Sequence, residues 1–206
     1  VLMISTLTEA GAEATLQALE LGAVDFIPKP KLSIAAGIQA YRELILEKLH
    51  EVARVRVTSA RKKTNASVAS GEKLAPRRLT GTEKIIAIGA STGGTEAIKD
   101  VLMQLPANVP GIVITQHMPP GFTRSFAQRL DRLTRLHVVE AAGGERILPG
   151  HAYLAPGNFH LLVERSGADY VVKLSDGEQV HRHRPAVDVM MKSVAQAGGK
   201  NVLGIL

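Results

Sequence analysis

The chain has 206 residues, of which 45% are apolar and 21% are charged, a composition that excludes an intrinsically disordered protein. It contains no cysteine, which excludes disulfide bonds and thiolate metal sites and is typical of a reducing compartment. The formal net charge is +6, and the sequence shows neither a signal peptide nor an apolar run of about 18 residues, so we expect a cytoplasmic protein without membrane insertion.

Residues 1–55 predict a β-α-β-α pattern. VLMIST and DFIPKP are short apolar runs typical of buried strands. Each precedes a segment with apolar residues at helical spacing, AGAEATLQALELGA and IQAYRELILEKLHEVARV. A β-α-β-α unit is half of a parallel α/β domain and leaves an unpaired sheet edge. We therefore expect that its partner strands lie upstream of Val1.

Residues 56–82 predict a flexible basic linker between two domains. Residues 54–82 carry eight basic side chains and one acidic side chain among Ser, Thr, Ala and Gly, and they lack apolar periodicity. A basic segment can also bind nucleic acid. Only 3% of the residues are aromatic, however, so few side chains could stack on bases, and we expect no nucleic-acid partner.

Residues 83–206 predict a second α/β domain. KIIAIGAS and GIVITQH are typical of buried strands, and TEAIKDVLMQL and FTRSFAQRLDRL follow them as helices. Residues 137–177 contain short β runs interrupted by Gly, Pro and Asn, which predict antiparallel hairpins. PAVDVMMKSVAQAGG predicts a third helix and NVLGIL a closing strand. This order indicates a doubly wound, mainly parallel α/β fold with an antiparallel hairpin region.

The turn after the first of these strands, GASTGG, fits two templates. Residues 89–93 match the G-x-S-x-G nucleophile elbow, in which a serine stands between a strand and a helix. Residues 89–94 match a dinucleotide fingerprint whose middle glycine is replaced by Ser91, which indicates a nucleotide- or phosphate-binding domain. The second template expects an acidic residue about 20 residues further on. The next strand ends in Gln116 and His117 instead, which favours catalysis.

Ser91 and His117 are the candidate catalytic residues. Each ends a predicted strand, and adjacent parallel strands lie about 4.8 Å apart, so the two side chains can come within hydrogen-bonding distance. A serine hydroxyl is a poor nucleophile unless a neighbouring imidazole takes its proton. The glycine-rich turn at the start of the following helix can supply amide groups to a developing oxyanion. This pattern predicts a serine hydrolase.

A Ser/His pair needs a third group, usually a carboxylate, that orients the imidazole. The chain offers Glu140, Asp176 and Asp188, but none of them clearly ends a predicted parallel strand. The next such strand is NVLGIL, which ends at Leu206. We therefore expect the orienting acid in the loop that would follow this strand, and we expect this chain alone to be impaired as an enzyme.

Other polar residues near the predicted site carry weaker signals. His181 and His183 alternate along the chain and would share one face of a strand, a spacing seen in metal sites. No carboxylate or cysteine cluster accompanies them in the sequence, so we expect no metal there. Arg184 and Asp188 are expected to shape the site or hold a loop. Phe122 and Arg124 are expected to line a substrate cleft.

Residues 4–30 resemble the last two strands of a response-regulator receiver domain, on the motif IST-LTEAGAEATLQALELGAVDFIPKP. The resemblance implies that residues 1–55 are the C-terminal part of a flavodoxin-like fold. It also implies that Ser5 is the hydroxyl switch residue and that Lys29 is the lysine that contacts the phosphoryl group. The phosphoacceptor aspartate and the acidic ligands of that family's divalent metal belong to earlier strands, which this chain does not contain.

Four motifs in order, GASTGG, QHMPPGFT, YLAPGNFH and HRPAVDVM, resemble the catalytic domain of the CheB family of chemotaxis protein-glutamate methylesterases. The resemblance covers residues 83–206, about 60% of the chain. It implies that Ser91 is the nucleophile and His117 the general base, with Thr92 and Gly93 as active-site neighbours that support the oxyanion. In this family the orienting aspartate follows the strand that matches NVLGIL.

The family resemblance implies an activity, partners and regulation. The expected reaction is hydrolysis of glutamate γ-methyl esters on the cytoplasmic domains of chemoreceptors, with release of methanol, together with deamidation of receptor glutamines. This chemistry needs no metal or organic cofactor. The receiver domain is expected to be phosphorylated by the chemotaxis histidine kinase. A non-catalytic regulatory module, which binds receptors or a kinase, remains the alternative.

Overall fold

The computed structural model describes residues 1–5, 8–29, 34–55 and 84–206. The predicted linker, residues 56–82, lies outside these described residues. No helix in the described ranges is both long enough and apolar enough to cross a membrane.

The chain divides into two compact units, Val1–Ser67 and Val68–Leu206. The described elements of the first unit are β1 (Leu2–Ser5), α1 (Glu9–Glu20), β2 (Asp25–Pro28) and α2 (Ile34–Arg54). They follow the predicted β-α-β-α order, and β1 and β2 pair in parallel. Helix α1 begins after Thr8 because the hydroxyl of that residue accepts the N–H of Gly11 at 3.1 Å.

The second unit is built on a parallel sheet, with helices and a separate hairpin around it. Its elements are β3 (Ile85–Ala90), α3 (Gly94–Gln104), β4 (Gly111–Gln116), α4 (Phe122–Leu133), β5 (His137–Glu140), β6 (His151–Leu154), β7 (His160–Ser166), β8 (Asp169–Ser175), α5 (Val187–Gly198), a short 3₁₀ turn (Gly199–Asn201) and β9 (Val202–Ile205). The strand order is β5-β6-β4-β3-β9, and all neighbours in it are parallel. The predicted α/β fold with a mainly parallel sheet is confirmed.

The prediction of antiparallel hairpins throughout residues 137–177 is wrong for the first part of that range. β5 and β6 are parallel strands of the central sheet, whereas β7 and β8 do form an antiparallel hairpin. The loop from β5 to β6 bonds to β8: the N–H of Gly144 donates to the carbonyl of Val172 at 2.7 Å, and that of Ile147 donates to Tyr170 at 2.9 Å. These bonds pair backbone N–H groups of the loop with the hairpin, and the chain returns in the parallel direction without a helix.

The helices cover both faces of the sheet. The chain runs one way from β3 through β4 to β5 and later crosses back past β3 to β9, so right-handed crossovers place α3 and α4 on one face and α5 on the other. β3 therefore borders the switch point in the strand order, where ligands gather in sheets of this kind. Helix α5 and the hairpin pack on the sheet in one buried cluster, which includes Ile85, Ala87, Val113, Tyr153, Leu161, Val163, Met190 and Val194.

Candidate active site

The carboxyl ends of β3 and β4 bring Ser91 and His117 together. The two strands pair in parallel with Ala90 opposite Gln116, so the next residue of each strand emerges at the same edge of the sheet. Nδ1 of His117 lies 3.2 Å from Oγ of Ser91, and both residues are partly exposed. At this distance the imidazole can take the hydroxyl proton. The pair also lies next to the switch point of the sheet, which β3 borders and where a ligand is expected.

Gln116 and two glycines shape the turn that carries Ser91. Gly93 has a φ of +78°, a left-handed conformation that glycine adopts without steric cost. The carbonyl of Ser91 accepts the N–H of Gly94 and Nε2–H of Gln116, both at 2.8 Å. Gln116 is buried, and a Cβ on Gly94 would fall 2.5 Å from Cβ of Ala90 and directly against Oε1 of Gln116. The turn is thus held from inside the sheet by Gln116, to which the sequence motifs assigned no role.

Thr92 and Gly93 stand at the amino end of α3, next to Ser91. The helix dipole favours negative charge at this end. The N–H of Gly94 already donates to the carbonyl of Ser91, so it is committed to the turn. The predicted oxyanion role of Thr92 and Gly93 stays a prediction.

His183 packs against the ring of His117. The two imidazoles are stacked, with centroids 3.8 Å apart and ring planes at 11°. The stack limits rotation of the His117 ring from one side, so His183 helps to fix the orientation of the candidate base. Only the tertiary fold brings these two residues together. The signal in the sequence that points to His183 is its place in the motif HRPAVDVM.

The expectation that His181 and His183 share one face of a strand is wrong. Residues 180–183 form a tight turn, closed by two hydrogen bonds between its first and last residues, with φ values of +50° and +64° at its central positions. Two left-handed central residues are typical of a type I′ turn. His181 lies 3.5 Å from a carboxylate oxygen of Asp188. Among the described residues, no group of three or more His, Asp or Glu side chains is gathered to hold a metal.

Two further side chains hold the loop that carries His183. His160 is buried, and its Nδ1 accepts the N–H of Ala186 at 3.1 Å while its Nε2 donates to the carbonyl of Glu178 at 2.9 Å. These bonds require a neutral imidazole with its proton on Nε2. Arg184 donates to two backbone carbonyls of the same loop, at 2.6 and 2.9 Å, in keeping with the loop-holding role expected for it.

Glu140 does end a parallel strand, β5, in contrast to the expectation for the three candidate acids. β6 stands between β5 and β4, so the carboxylate lies on the side of β4 that faces away from β3 and Ser91. Its oxygens accept the hydroxyl of Thr123 at 2.5 Å and Nε–H of Arg124 at 3.3 Å. The described bonds of Glu140 therefore go to other groups. Asp188 lies beside the tight turn, with its side chain 56% exposed.

Phe122 does not line a cleft, and that expectation is wrong. The residue is fully buried at the start of α4, where it shares a buried face with Phe126 and Leu130 at four-residue spacing. The four-residue spacing of these apolar side chains is visible in the sequence and indicates a buried position for Phe122. The side chain of Arg124 is 67% exposed, so a role for it at a cleft stays a prediction.

In the first unit, Ser5 and Lys29 meet at the carboxyl ends of β1 and β2. Ser5 is the last residue of β1, and the N–H of Lys29, just after β2, donates to its carbonyl at 2.6 Å. The hydroxyl of Ser5 donates to the carbonyl of Gly11 at 3.1 Å, and Lys29 is exposed. The carboxyl edge of a parallel sheet is where ligands bind. The switch and phosphate-contact roles of these two residues stay predictions.

Known proteins resemble this chain in both sequence and fold. A family model described as CheB methylesterase matches residues 86–206. The protein-glutamate methylesterase/protein-glutamine glutaminase 2 of Pseudomonas aeruginosa is 64% identical over 203 residues, which are 98% of this chain and 57% of that protein. The protein-glutamate methylesterase/protein-glutamine glutaminase of Salmonella typhimurium is 53% identical over 206 residues, 100% of this chain and 58% of that protein. The chain thus spans less than two thirds of the length of these curated relatives.

A solved structure is also similar to this chain in fold. The crystal structure of the Thermotoga maritima CheB methylesterase catalytic domain aligns with a TM-score of 0.58 and 39% sequence identity. The alignment covers 60% of this chain and 66% of that one.

Proposed function

The chain belongs to the CheB methylesterase family, and on that premise we propose that residues 83–206 hydrolyse glutamate γ-methyl esters on chemoreceptors and release methanol. We include deamidation of receptor glutamines, because an amide can pass through the same acyl-enzyme. The names of the relatives support both reactions. The observation that carries the proposal is the 3.2 Å contact between Oγ of Ser91 and Nδ1 of His117 at the carboxyl ends of β3 and β4.

The proposed mechanism uses this pair in two half-reactions. Ser91 attacks the ester carbonyl while His117 takes its proton, which converts a weak nucleophile into a strong one. Amides of the Thr92–Gly93 turn, at the positive end of α3, stabilise the oxyanion. His117 then protonates the departing methoxide, and methanol leaves. Water, activated by the same imidazole, hydrolyses the acyl-enzyme and restores Ser91.

We propose that the carboxylate that orients His117 approaches from the carboxyl end of β9. β9 is the second parallel neighbour of β3. A Cβ on Gly89 would fall 3.1 Å from Cδ2 of Leu206, so the residue after β9 touches the strand that leads to Ser91. The hydrogen bonds of Glu140 to Thr123 and Arg124 support this placement.

We propose that residues 1–55 are the C-terminal part of a receiver domain, and that a chemotaxis histidine kinase phosphorylates the complete receiver domain in the cytoplasm. The parallel pairing of β1 and β2, with Ser5 and Lys29 at adjacent strand ends, supports the proposal. The receiver family's divalent metal needs a cluster of acidic ligands. The described residues gather no such cluster, so we assign no metal site to them.

Mass spectrometry of receptor peptides tests the proposal. The chain is compared with a chimera in which its 206 residues replace the matched region of the Pseudomonas aeruginosa relative, so that every other segment of a full-length protein is present. We expect the chimera to convert methylated glutamates to glutamate and glutamines to glutamate, and we expect Ser91→Ala to stop both conversions. Receptors left unchanged by the chimera would favour the non-catalytic regulatory module instead.

A further inference from the structure

A buried hydroxyl joins three segments at the carboxyl edge of the sheet. Thr123, in the first turn of α4, is fully buried. Its Oγ1 accepts the N–H of Gly157 at 3.1 Å and donates its own proton to Oε1 of Glu140 at 2.5 Å. The start of α4, the turn after β6 and the end of β5 are thereby connected through one atom. Both hydrogen bonds run in the direction that the chemistry of their groups requires, since an amide N–H donates, a carboxylate accepts and a hydroxyl does both.

The Gly157 turn also presses on residues 118–121, which we call the proline loop and which connect His117 to α4. A Cβ on Gly157 would fall 2.5 Å from Cα of Pro120 and 2.6 Å from the carbonyl carbon of Pro119, so the two backbones are in direct contact. Prolines have no N–H with which to anchor a loop. The hydrogen bond that closes this loop runs from the N–H of Phe122 to the carbonyl of Pro119 and is 3.3 Å long. The position of the proline loop therefore depends on the Gly157 turn.

We propose that Thr123 and Glu140 are positioning residues for the hydrolysis at Ser91, an inference that rests on the proposed function. Glu140 takes the only hydroxyl proton of Thr123 and so leaves a lone pair directed at the N–H of Gly157. The anchored Gly157 turn supports the proline loop, and the loop fixes His117, the residue before it. This placement matters because a displacement of about 1 Å can cost about 10²-fold in rate.

The test measures kcat and KM for methanol release by the chimera. Thr123→Val keeps the shape of the side chain but removes both hydrogen bonds, so we expect kcat to fall about 10- to 100-fold while KM changes less than about threefold. Thr123→Ser restores the hydroxyl, and we expect its kcat within about threefold of the parent's. This split between kcat and KM, with rescue by serine, is a result that a merely stabilising residue would not give.

Thr134→Val is the matched control. Thr134 is also buried and also accepts a backbone N–H, that of Leu136 at 3.3 Å, but it lies at the far end of α4. We expect this variant to lose thermal stability and to keep the kcat of the parent. Glu140→Ala as a single change should also lower kcat. Combined with Thr123→Val, it should lower kcat little further, because both changes break the same hydrogen bond.

Several results would overturn the inference. One is a folded Thr123→Val variant whose kcat matches that of the parent or of Thr134→Val. If Thr123→Val does not fold, Glu140→Ala decides, since the Glu140 side chain reaches solvent, with 19% of its surface exposed, whereas Thr123 is fully buried. An unchanged kcat in Glu140→Ala then refutes the positioning role of Thr123 and Glu140, while the proposed function stands. A parent chimera without methanol release, or one whose release survives Ser91→Ala, refutes the proposed function and this inference with it.

Discussion

Replacing Gly94 by alanine tests how tightly the turn of Ser91 is packed against the sheet. The added Cβ would collide with Oε1 of Gln116 and lie 2.5 Å from Cβ of Ala90. Ala90 is fixed by the strand, so the Gln116 side chain is the part that can move. We expect it to rotate and to give up its hydrogen bond to the carbonyl of Ser91.

Three terms set the size of the effect. Leaving one buried amide group unsatisfied costs about 1–3 kcal/mol, and overpacking a close contact costs about 1–3 kcal/mol. Alanine is a better helix former than glycine by about 1 kcal/mol, which acts in the opposite direction. The packing terms win, and we expect Gly94→Ala to lower the free energy of unfolding by about 1–5 kcal/mol. Such a loss is a large part of the roughly 5–15 kcal/mol that keeps a domain folded.

Hydrogen exchange at the amides of β3 and β4 measures this loss in the second unit by itself. Gln116→Ala provides the control, because it removes the atom with which the new Cβ collides. We expect the loss in free energy of unfolding caused by Gly94→Ala to be at least about 1 kcal/mol smaller in the Gln116→Ala background than in the parent. The remaining loss comes from the contact with Ala90, which is common to both backgrounds. An equal cost in both backgrounds would refute the reasoning, as would a gain in stability of the size that helix propensity alone gives.

Two further predictions concern the other contacts. His183→Ala should lower kcat for methanol release by the chimera about 2- to 10-fold, because a ring stack worth about 0.5–1.5 kcal/mol is lost, while His183→Phe keeps a flat ring against His117 and most of the activity; equal losses in both variants would contradict a packing role. In the first unit, burial lowers the pKa of Lys48, but its ion pairs with Asp25, at 2.9 Å, and with Glu51 outweigh burial and raise it above the ordinary 10.5. The folded state therefore holds the Lys48 proton more tightly than the unfolded chain does. The stability that protonated Lys48 contributes is complete below about pH 10 and is lost as the pH rises through the raised pKa. Urea denaturation followed by circular dichroism should show a steeper alkaline loss of stability in the parent than in Lys48→Met, and identical profiles would contradict the assignment.

The approach of Ser91 to His117 could be predicted because it depends on local rules. Each residue follows a continuous apolar strand, and the two strands are consecutive and joined by a helix. Such strands pair in parallel, and their carboxyl ends then meet at one edge of the sheet. The α/β fold could be predicted for the same reason, since its longer strands and helices show their periodicity in the sequence.

Contacts between distant loops could not be predicted in this way. β5 and β6 have four residues each, too few to show whether one face or both are buried, so their pattern resembled that of a hairpin. The left-handed turn at 180–183 contains no glycine, the residue that usually indicates such a turn in a sequence. Gln116, Thr123 and His183 act through partners that only the folded chain brings near, and the hydrogen-bonding capacity of one side chain does not identify its partner.

Methanol release from methylated receptor membranes tests most directly whether Ser91 is the nucleophile of a protein-glutamate methylesterase. The assay compares the parent chimera with its Ser91→Ala variant at equal concentrations of folded protein. We expect steady release by the parent and a loss of at least about 10³-fold in the variant, because no other group in the mechanism can form the acyl-enzyme. Release by Ser91→Ala at the rate of the parent would contradict the central claim.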